Sequence, residues 1–179
     1  LLAVEIPEQP GSFLALCRTL GSRSVTEFNY RFDQQDRARI FLGFAMATGD
    51  GERSQMIDHL QTAGYRVTDM TSNELAKLHI RYMVGGRPTG LADELLLRFE
   101  FPERPGALSR FLEAVGSRWN ISLFHYRNHG SDAGRVLAGI QVAMSSRTEF
   151  FDHLTALQYP WIDETSNPAY RLFLGGSES

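Results

Sequence analysis

The hexapeptide Ile6-Pro7-Glu8-Gln9-Pro10-Gly11 returns 95 residues later as Phe101-Pro102-Glu103-Arg104-Pro105-Gly106. This repeat constrains the fold more than any other feature. A chain that carries one turn twice, a module length apart, is built from two copies of one unit. The match continues on both sides of the turn. Glu5 and Glu100 precede it, and Gly21-Ser22-Arg23 matches Gly116-Ser117-Arg118 at the same spacing. The second copy then gains one residue, at Trp119 or Asn120. From there Phe28, Tyr30 and Arg31 match Phe124, Tyr126 and Arg127, and Asp36, Arg39 and Gly43 match Asp132, Arg135 and Gly139. After a two-residue loss, Asp58-His59-Leu60 matches Asp152-His153-Leu154, and Thr71-Ser72-Asn73 matches Thr165-Ser166-Asn167.

Each copy reads strand, helix, strand, strand, helix, strand. The first strand is Leu2 to Ile6, or Leu96 to Phe101, and the Pro-Gly pair ends it. Helix 1 has an apolar stripe at Phe13, Leu16, Cys17 and Leu20, mirrored by Leu108, Phe111, Leu112 and Val115. That i, i+3, i+4, i+7 spacing buries one helical face. Gly21 and Gly116 stop the two helices. Strand 2 runs Val25 to Phe32 and Ile121 to Asn128. Phe28 and Tyr30 lie two apart and share a face, as do Phe124 and Tyr126. Strand 3, Ala38 to Met46 and Arg135 to Ala143, is apolar at nearly every position. Both sheet faces are therefore expected to be covered, the helix-free one by the other copy or by another subunit. Helix 2, Glu52 to Ala63, is expected to point Met56, Leu60 and Ala63 inward, with Phe150, Leu154 and Leu157 as counterparts. Strand 4 is Tyr65 to Met70 and Trp161 to Glu164. A third helix, Asn73 to Val84, trails module one, and Asn167 to Leu174 mirrors its start. This order predicts an α+β fold of two tandem ferredoxin-like βαββαβ modules, antiparallel sheets with helices on one face. The expected division is module one at 1–86, a linker at 87–93 and module two at 94–179.

Composition removes several functions. The net charge is -3 with no basic stripe, which argues against nucleic acid and anionic membranes. No apolar run approaches the ~20 residues of a membrane span. The one cysteine, Cys17, forbids an internal disulfide, lies in a helical core stripe, and fits a reducing, cytoplasmic setting. The chain starts without Met on a strand-like run, which reads as a segment of a longer polypeptide. His125 and His129 have metal-like spacing, but it straddles a strand end and a loop, so no metal is expected. His59 and His153 sit beside Asp58 and Asp152 on helix 2 and read as solvated. Asp163 and Glu164 are adjacent without an evident partner. Lys77 is the only lysine and lacks a phosphate-cradling loop, so no catalytic residue and no cofactor is assigned to this chain.

The strongest site candidate is the Pro-Gly turn at the start of helix 1 in each copy. Helix N-termini carry unpaired N–H groups that suit a carboxylate or phosphate, and Gly11 and Gly106 let a ligand approach the backbone. Tyr30 and Tyr126 offer a hydroxyl and a ring. The residues alone leave open whether these are ligand sites or only a turn and packing side chains.

Four stretches carry a resemblance: Ser24 to Phe32 (SVTEFNYRF), Lys77 to Pro88 (KLHIRYMVGGRP), Asn120 to Arg127 (NISLFHYR) and Asp163 to Tyr170 (DETSNPAY). They closely resemble the C-terminal regulatory region of biosynthetic threonine deaminase (threonine ammonia-lyase), over essentially the whole chain. The resemblance implies two ACT-like subdomains behind a pyridoxal-phosphate catalytic domain. It implies a parent enzyme, usually tetrameric, that converts L-threonine to 2-oxobutanoate and ammonia on the way to isoleucine. It further implies isoleucine as inhibitor and valine as its antagonist, and a homo-oligomer, a dimer for the fragment itself. By motif, the effector-contacting tyrosines fall on Tyr30 and Tyr126. By the habit of ACT-type domains, Gly11, Ser12, Gly106 and Ala107 join them, with Phe28 and Phe124 lining the apolar part and Leu14 and Ser109 nearby. The rival readings are a non-sensing oligomerisation module, a small enzyme on the same scaffold and an RNA-binding module. The last two lack, respectively, a cluster of titrating groups and basic residues among the strand-3 aromatics.

Overall fold

The computed structural model describes residues 1–32, 36–47, 49–84, 88–102, 106–115, 118–127, 133–170 and 174. The expected helix stop at Gly116, the second histidine of the pair at His129, and Asp132 lie outside these residues.

Module one contains β1 (Leu2–Pro7), α1 (Ser12–Leu20), β2 (Val25–Arg31), β3 (Arg37–Phe44), α2 (Asp50–Thr62) and β4 (Arg66–Asp69). A π-helical turn (Ala76–Ile80) and a short α3 (Arg81–Met83) trail it. Module two repeats the order as β5 (Glu94–Pro102), α4 (Ala107–Val115), β6 (Asn120–Arg127), β7 (Ala133–Gln141), α5 (Arg147–Ala156) and β8 (Trp161–Asp163). The eight strands form one sheet in the order β4-β1-β3-β2-β6-β7-β5-β8. The two modules thus join edge to edge, β2 against β6, and neither keeps that edge exposed.

The join is a pseudo-two-fold. Phe28 pairs with Tyr126, Asn29 with His125 and Tyr30 with Phe124. Asn29 and His125 are themselves repeat mates, so the axis passes between them. Helices α1 and α4 cross the same axis, where Arg18 and Glu113, again repeat mates, approach to 3.4 Å.

One core lies between the sheet and the four long helices. Leu2, Val4 and Ile6 of β1 and Leu95, Leu97 and Phe99 of β5 enter it, with the predicted stripes of α1 and α4. Each fully buried large side chain contributes about 1.5–3 kcal/mol, so the repeated stripe is a principal stabiliser. At the axis Phe13, Phe28, Tyr30, Phe111 and Phe124 form one aromatic cluster. Its ring centroids are 5.0 Å apart for Phe13–Tyr30 and 5.5 Å for Phe28–Phe124.

Three expectations need correction. Ala63 does not point inward: α2 has ended by Thr62, and Ala63 is exposed. Strand 3 does alternate, since Ile40 and Leu42 enter the helix-side core while Arg39 and Phe41 lie on the other face. That other face is covered in part by the chain's own trailing segments and not by the other copy, which joins edge to edge. In module two, Leu96, Leu123 and Tyr170 form a small second core with Leu137 and Leu174. In module one, Ala76, Ile80 and Val84 of the trailing segment line a cavity of about 310 Å³ with Ala3 and Phe41. The third helix is irregular there, with a π turn in the middle of the predicted span.

Candidate functional site at the module seam

The glycines of the two turns adopt the same backbone conformation, while 103–105 lie outside the described residues. Gly11 has φ 86° and Gly106 φ 77°, a region that L side chains rarely adopt. Ala15 N–H donates to the Gly11 carbonyl at 2.9 Å, and Arg110 N–H to the Gly106 carbonyl at 3.0 Å. Ser12 and Ala107, the first residues of their helices, are both buried.

The turn of module one reaches the other module. The Tyr30 hydroxyl donates to Glu8 Oε2 within this turn, and Asn120 Nδ2 donates to Glu8 Oε1 at 3.2 Å. The same amide donates to Gln141 Oε1 at 2.9 Å. Glu8 therefore ties β2 of its own module to the first residue of β6, whose amide also reaches the last residue of β7. Beside it lies a narrow cleft lined by Gln9, Pro10, Gly11, Phe13, Leu14, Leu112, Trp119 and Ile121. Its free volume is about 10 Å³, room for one water. The outer side of the same turn borders a wider, open groove of about 480 Å³, with Glu5, Ser12, Arg37 and Tyr65 among its walls.

The other predicted residues are placed as follows. Tyr126 is buried on the helix side opposite Phe28. Phe28 and Phe124 are fully buried in the aromatic cluster and form the floor beneath the seam. Leu14 lines the cleft, and Ser109 is half-buried on α4. Glu8, Asn120, Gln141, Leu112 and Trp119 were missed as site residues. Glu8 carried a signal, since it lies inside the repeated hexapeptide. The amides carried none, because only the β2–β6 join brings them to that turn.

A second polar cluster lies on the opposite face. The Arg31 side chain, on β2, crosses the axis and pairs with Glu94 of β5, with Nη2 to Oε2 at 3.1 Å and both side chains 4% exposed. Ser122 Oγ and the Tyr170 hydroxyl donate to the same carboxylate at 2.5 and 2.6 Å. Burial, then the hydrogen bond to Glu94, raises the Tyr170 hydroxyl well above its ordinary range. Burial alone pushes the Cys17 thiol up to about 12, so it stays protonated near neutral pH. His59 touches the Thr19 carbonyl at 3.1 Å, and His153 packs 5.5 Å from the Trp119 ring. Glu164, for which the sequence showed no partner, accepts from Arg98 at 3.0 Å and from Asn167 at 2.8 Å. Lys77 pairs on the surface with Glu74 at 3.2 Å. Among the described residues there is no cluster of His, Cys, Asp or Glu suited to a metal, and no helix long and apolar enough to cross a membrane.

Residues 1–80 and 85–174 match the family described as the C-terminal regulatory domain of threonine dehydratase. The chain belongs to this family. The threonine dehydratase regulatory domain also accounts for its relatives. The chain is 54% identical to L-threonine dehydratase biosynthetic IlvA of Escherichia coli, over 98% of this chain and 34% of that protein. It is 53% identical to the Salmonella typhimurium protein of the same name, with the same coverage, and 50% identical to that of Burkholderia multivorans, over 97% of this chain and 34% of that protein. The chain thus spans about a third of the length of the curated relatives it matches, and it corresponds to their regulatory part. The two ACT-like modules expected from the resemblance are the architecture observed.

Proposed function

We propose that this chain is the amino-acid-sensing region of a biosynthetic threonine dehydratase, inhibited through it by isoleucine and relieved by valine. The observation that carries this reading is the seam. There the turn at one helix start and the neighbouring module's Leu112, Trp119 and Ile121 line one apolar cleft, and a strand-2 tyrosine is bonded to Glu8 of the same turn. The parent enzyme, in this reading, is a cytoplasmic homo-oligomer, a tetramer, that converts L-threonine to 2-oxobutanoate and ammonia. Its pyridoxal phosphate sits in the catalytic part, which this chain contacts as a partner. Module one spans 1–86, the linker 87–93 and module two 94–179.

The mechanism follows from the geometry. The effector's carboxylate takes the backbone N–H groups at a helix start, at Gly11-Ser12 or Gly106-Ala107. Its aliphatic side chain lies over the aromatic floor that contains Phe28 and Phe124, beside Tyr30 or Tyr126. A cleft of about 10 Å³ is too small for that side chain, so binding requires the modules to shift about the β2–β6 seam. A ligand that binds only the shifted arrangement moves the equilibrium toward it, and coupling of ~1–3 kcal/mol is typical. Valine lacks one methylene of isoleucine, worth about 0.8 kcal/mol. So small a difference favours two unequal sites over one discriminating site.

The test is the isoleucine response of the intact enzyme with Tyr30→Ala and Tyr126→Ala combined. The expected outcome is a rise of about 10-fold or more in the half-inhibiting isoleucine concentration, within the usual range of allosteric coupling. An unchanged response would instead support a region that only assembles subunits.

A further inference from the structure

The helix-free faces of the two modules differ at one pair of repeat mates. The match of Thr71-Ser72-Asn73 with Thr165-Ser166-Asn167 continues into the trailing segments, where Ala76 corresponds to Tyr170 and Ile80 to Leu174. On strand 3, Phe41 corresponds to Leu137. In module two the Tyr170 side chain packs with Leu96, Leu123, Leu137 and Leu174, and its hydroxyl donates to Glu94 at 2.6 Å. In module one the matching residues Phe41, Ala76 and Ile80 line the cavity of about 310 Å³, together with Ala3, Met70 and Val84. A ring that closes one face is therefore reduced to a methyl group on the other.

We propose that this cavity is a binding site for a small, uncharged, ring-sized apolar molecule, which supplies in module one the contact that Tyr170 supplies in module two. The site lies across the sheet from the seam cleft, so it goes beyond the sensing role and does not depend on it. Its size fits. An apolar cavity of about 150 Å³ takes up a benzene ring, and small-molecule pockets begin at about 300 Å³. Its walls fit as well. The Phe41 ring and the Met70 thioether suit an aromatic guest. The polar residues of the wall are already engaged. Arg39 pairs with Glu5 at 3.7 Å, and the Asn73 side-chain oxygen accepts from the Ala76 N–H at 2.9 Å. A charged guest would lose its hydration against walls that return little of it, so a neutral guest is favoured. Ala3 and Phe41 face each other across β1 and β3, while Ala76, Ile80 and Val84 belong to the trailing segment. The guest therefore bridges the sheet to that segment and holds it down, as Tyr170 does in module two.

The probe is p-cresol, the tyrosine side chain as a free molecule, and the experiment is its calorimetric titration into the intact enzyme. Saturable binding is expected. Ala76→Phe puts a ring where module two carries Tyr170, without a hydroxyl that would need a partner such as Glu94. It should weaken p-cresol binding by about 10-fold or more. Leu78→Phe, at an exposed position of the same segment outside the cavity wall, should change it by less than about 3-fold. Absence of saturable binding to the unaltered enzyme overturns the proposal, as follows if another part of the enzyme or a second copy covers the cavity. Equal affinity in the unaltered enzyme and in Ala76→Phe also overturns it, because the probe then binds elsewhere. An equal loss in Leu78→Phe does the same. If Ala76→Phe fails to fold, Ala3→Leu fills the cavity from the sheet side. Loss of p-cresol binding in that variant supports the site, and unchanged affinity overturns it. The isoleucine response, tested through Tyr30 and Tyr126, stands or falls separately from these outcomes.

Discussion

The helix-free faces of the two modules are built from matching strands yet are closed in opposite ways. In module two, Arg31 reaches across the axis to a buried Glu94 carboxylate, and Tyr170 and Leu174 of the trailing segment close over the pair. In module one, the repeat mate of Arg31 is Arg127, which lies 5.3 Å over the ring of Tyr82, itself exposed. Leu75 and Leu78 of the same trailing segment are exposed, and Leu75 lines the 310 Å³ cavity. One crossing arginine is a buried lock at one end of the pseudo-symmetric seam, and its repeat mate is a surface strap at the other. The difference lies in which cation takes the buried carboxylate: Glu94 takes Arg31, whereas Glu27, across the strands from Arg127, pairs with Arg81 of the trailing segment.

The largest effect should come from breaking the lock. Glu94→Ala strands a buried guanidinium, and such losses cost about 3–5 kcal/mol. The double change Arg31→Met with Glu94→Leu should recover most of it, since a packed apolar pair replaces a buried ion pair at little cost. Arg127→Ala, at the other end, should cost no more than about 1 kcal/mol, the value of an exposed cation–π contact. Urea melting of the three variants measures the contrast. Similar losses for Glu94→Ala and Arg127→Ala would mean that the two ends of the seam are held equally.

A smaller effect is expected at the repeat-mate glycines of strand 3. A Cβ at Gly139 would collide with the Glu94 carboxylate oxygen, with Leu123 Cβ at 2.9 Å and Ser122 Oγ at 3.0 Å. At Gly43 the closest atom is Thr26 Oγ1 at 2.7 Å, which can rotate away, and Glu27 Cβ follows at 3.2 Å. Gly139→Ala should therefore destabilise by about 1–3 kcal/mol, as overpacking does, and Gly43→Ala by less. Thermal denaturation of the two single variants ranks them.

The smallest effect concerns the turns that end each module. Glu164 is held below its ordinary value of 4.5, first by the Asn167 amide and then by Arg98. Asp69 is held below 3.8, first by the Thr71 hydroxyl. A carboxyl with a depressed folded-state pKa contributes stability above its unfolded value and loses it as pH falls through the folded value. Stability should therefore decline as pH falls below about 4.5 in module two and from a lower pH in module one. Glu164→Gln and Asp69→Asn should each flatten their part of that acid slope. A slope unchanged in both variants would assign the acid sensitivity to other carboxylates.

Much of the module was legible because its signals are local. The stripe at Phe13, Leu16, Cys17 and Leu20 needs only helical spacing, and Gly11 needs only a turn that other residues avoid. The trailing helix was less legible, because its π turn over Ala76–Ile80 answers to packing on the sheet rather than to propensity. For the site, the repeat exposed Gly11, Gly106, Tyr30 and Tyr126. It could not expose Asn120 or Gln141, whose link to Glu8 spans 112 residues for Asn120. Arg31 and Glu94, 63 residues apart, were equally silent.

A doubled βαββαβ unit, with one glycine turn and one strand-2 tyrosine in each copy, is legible in the residues alone. Periodicity and repetition are written residue by residue, and local sterics read them directly. That the two sheets become one, with β2 and β6 at the seam and different side chains at its two ends, follows from long-range packing. Those outcomes depend on which edge each module leaves unpaired and on which side chains meet across it. Such contacts arise between residues that share no local pattern, and only the folded chain brings them within hydrogen-bonding distance.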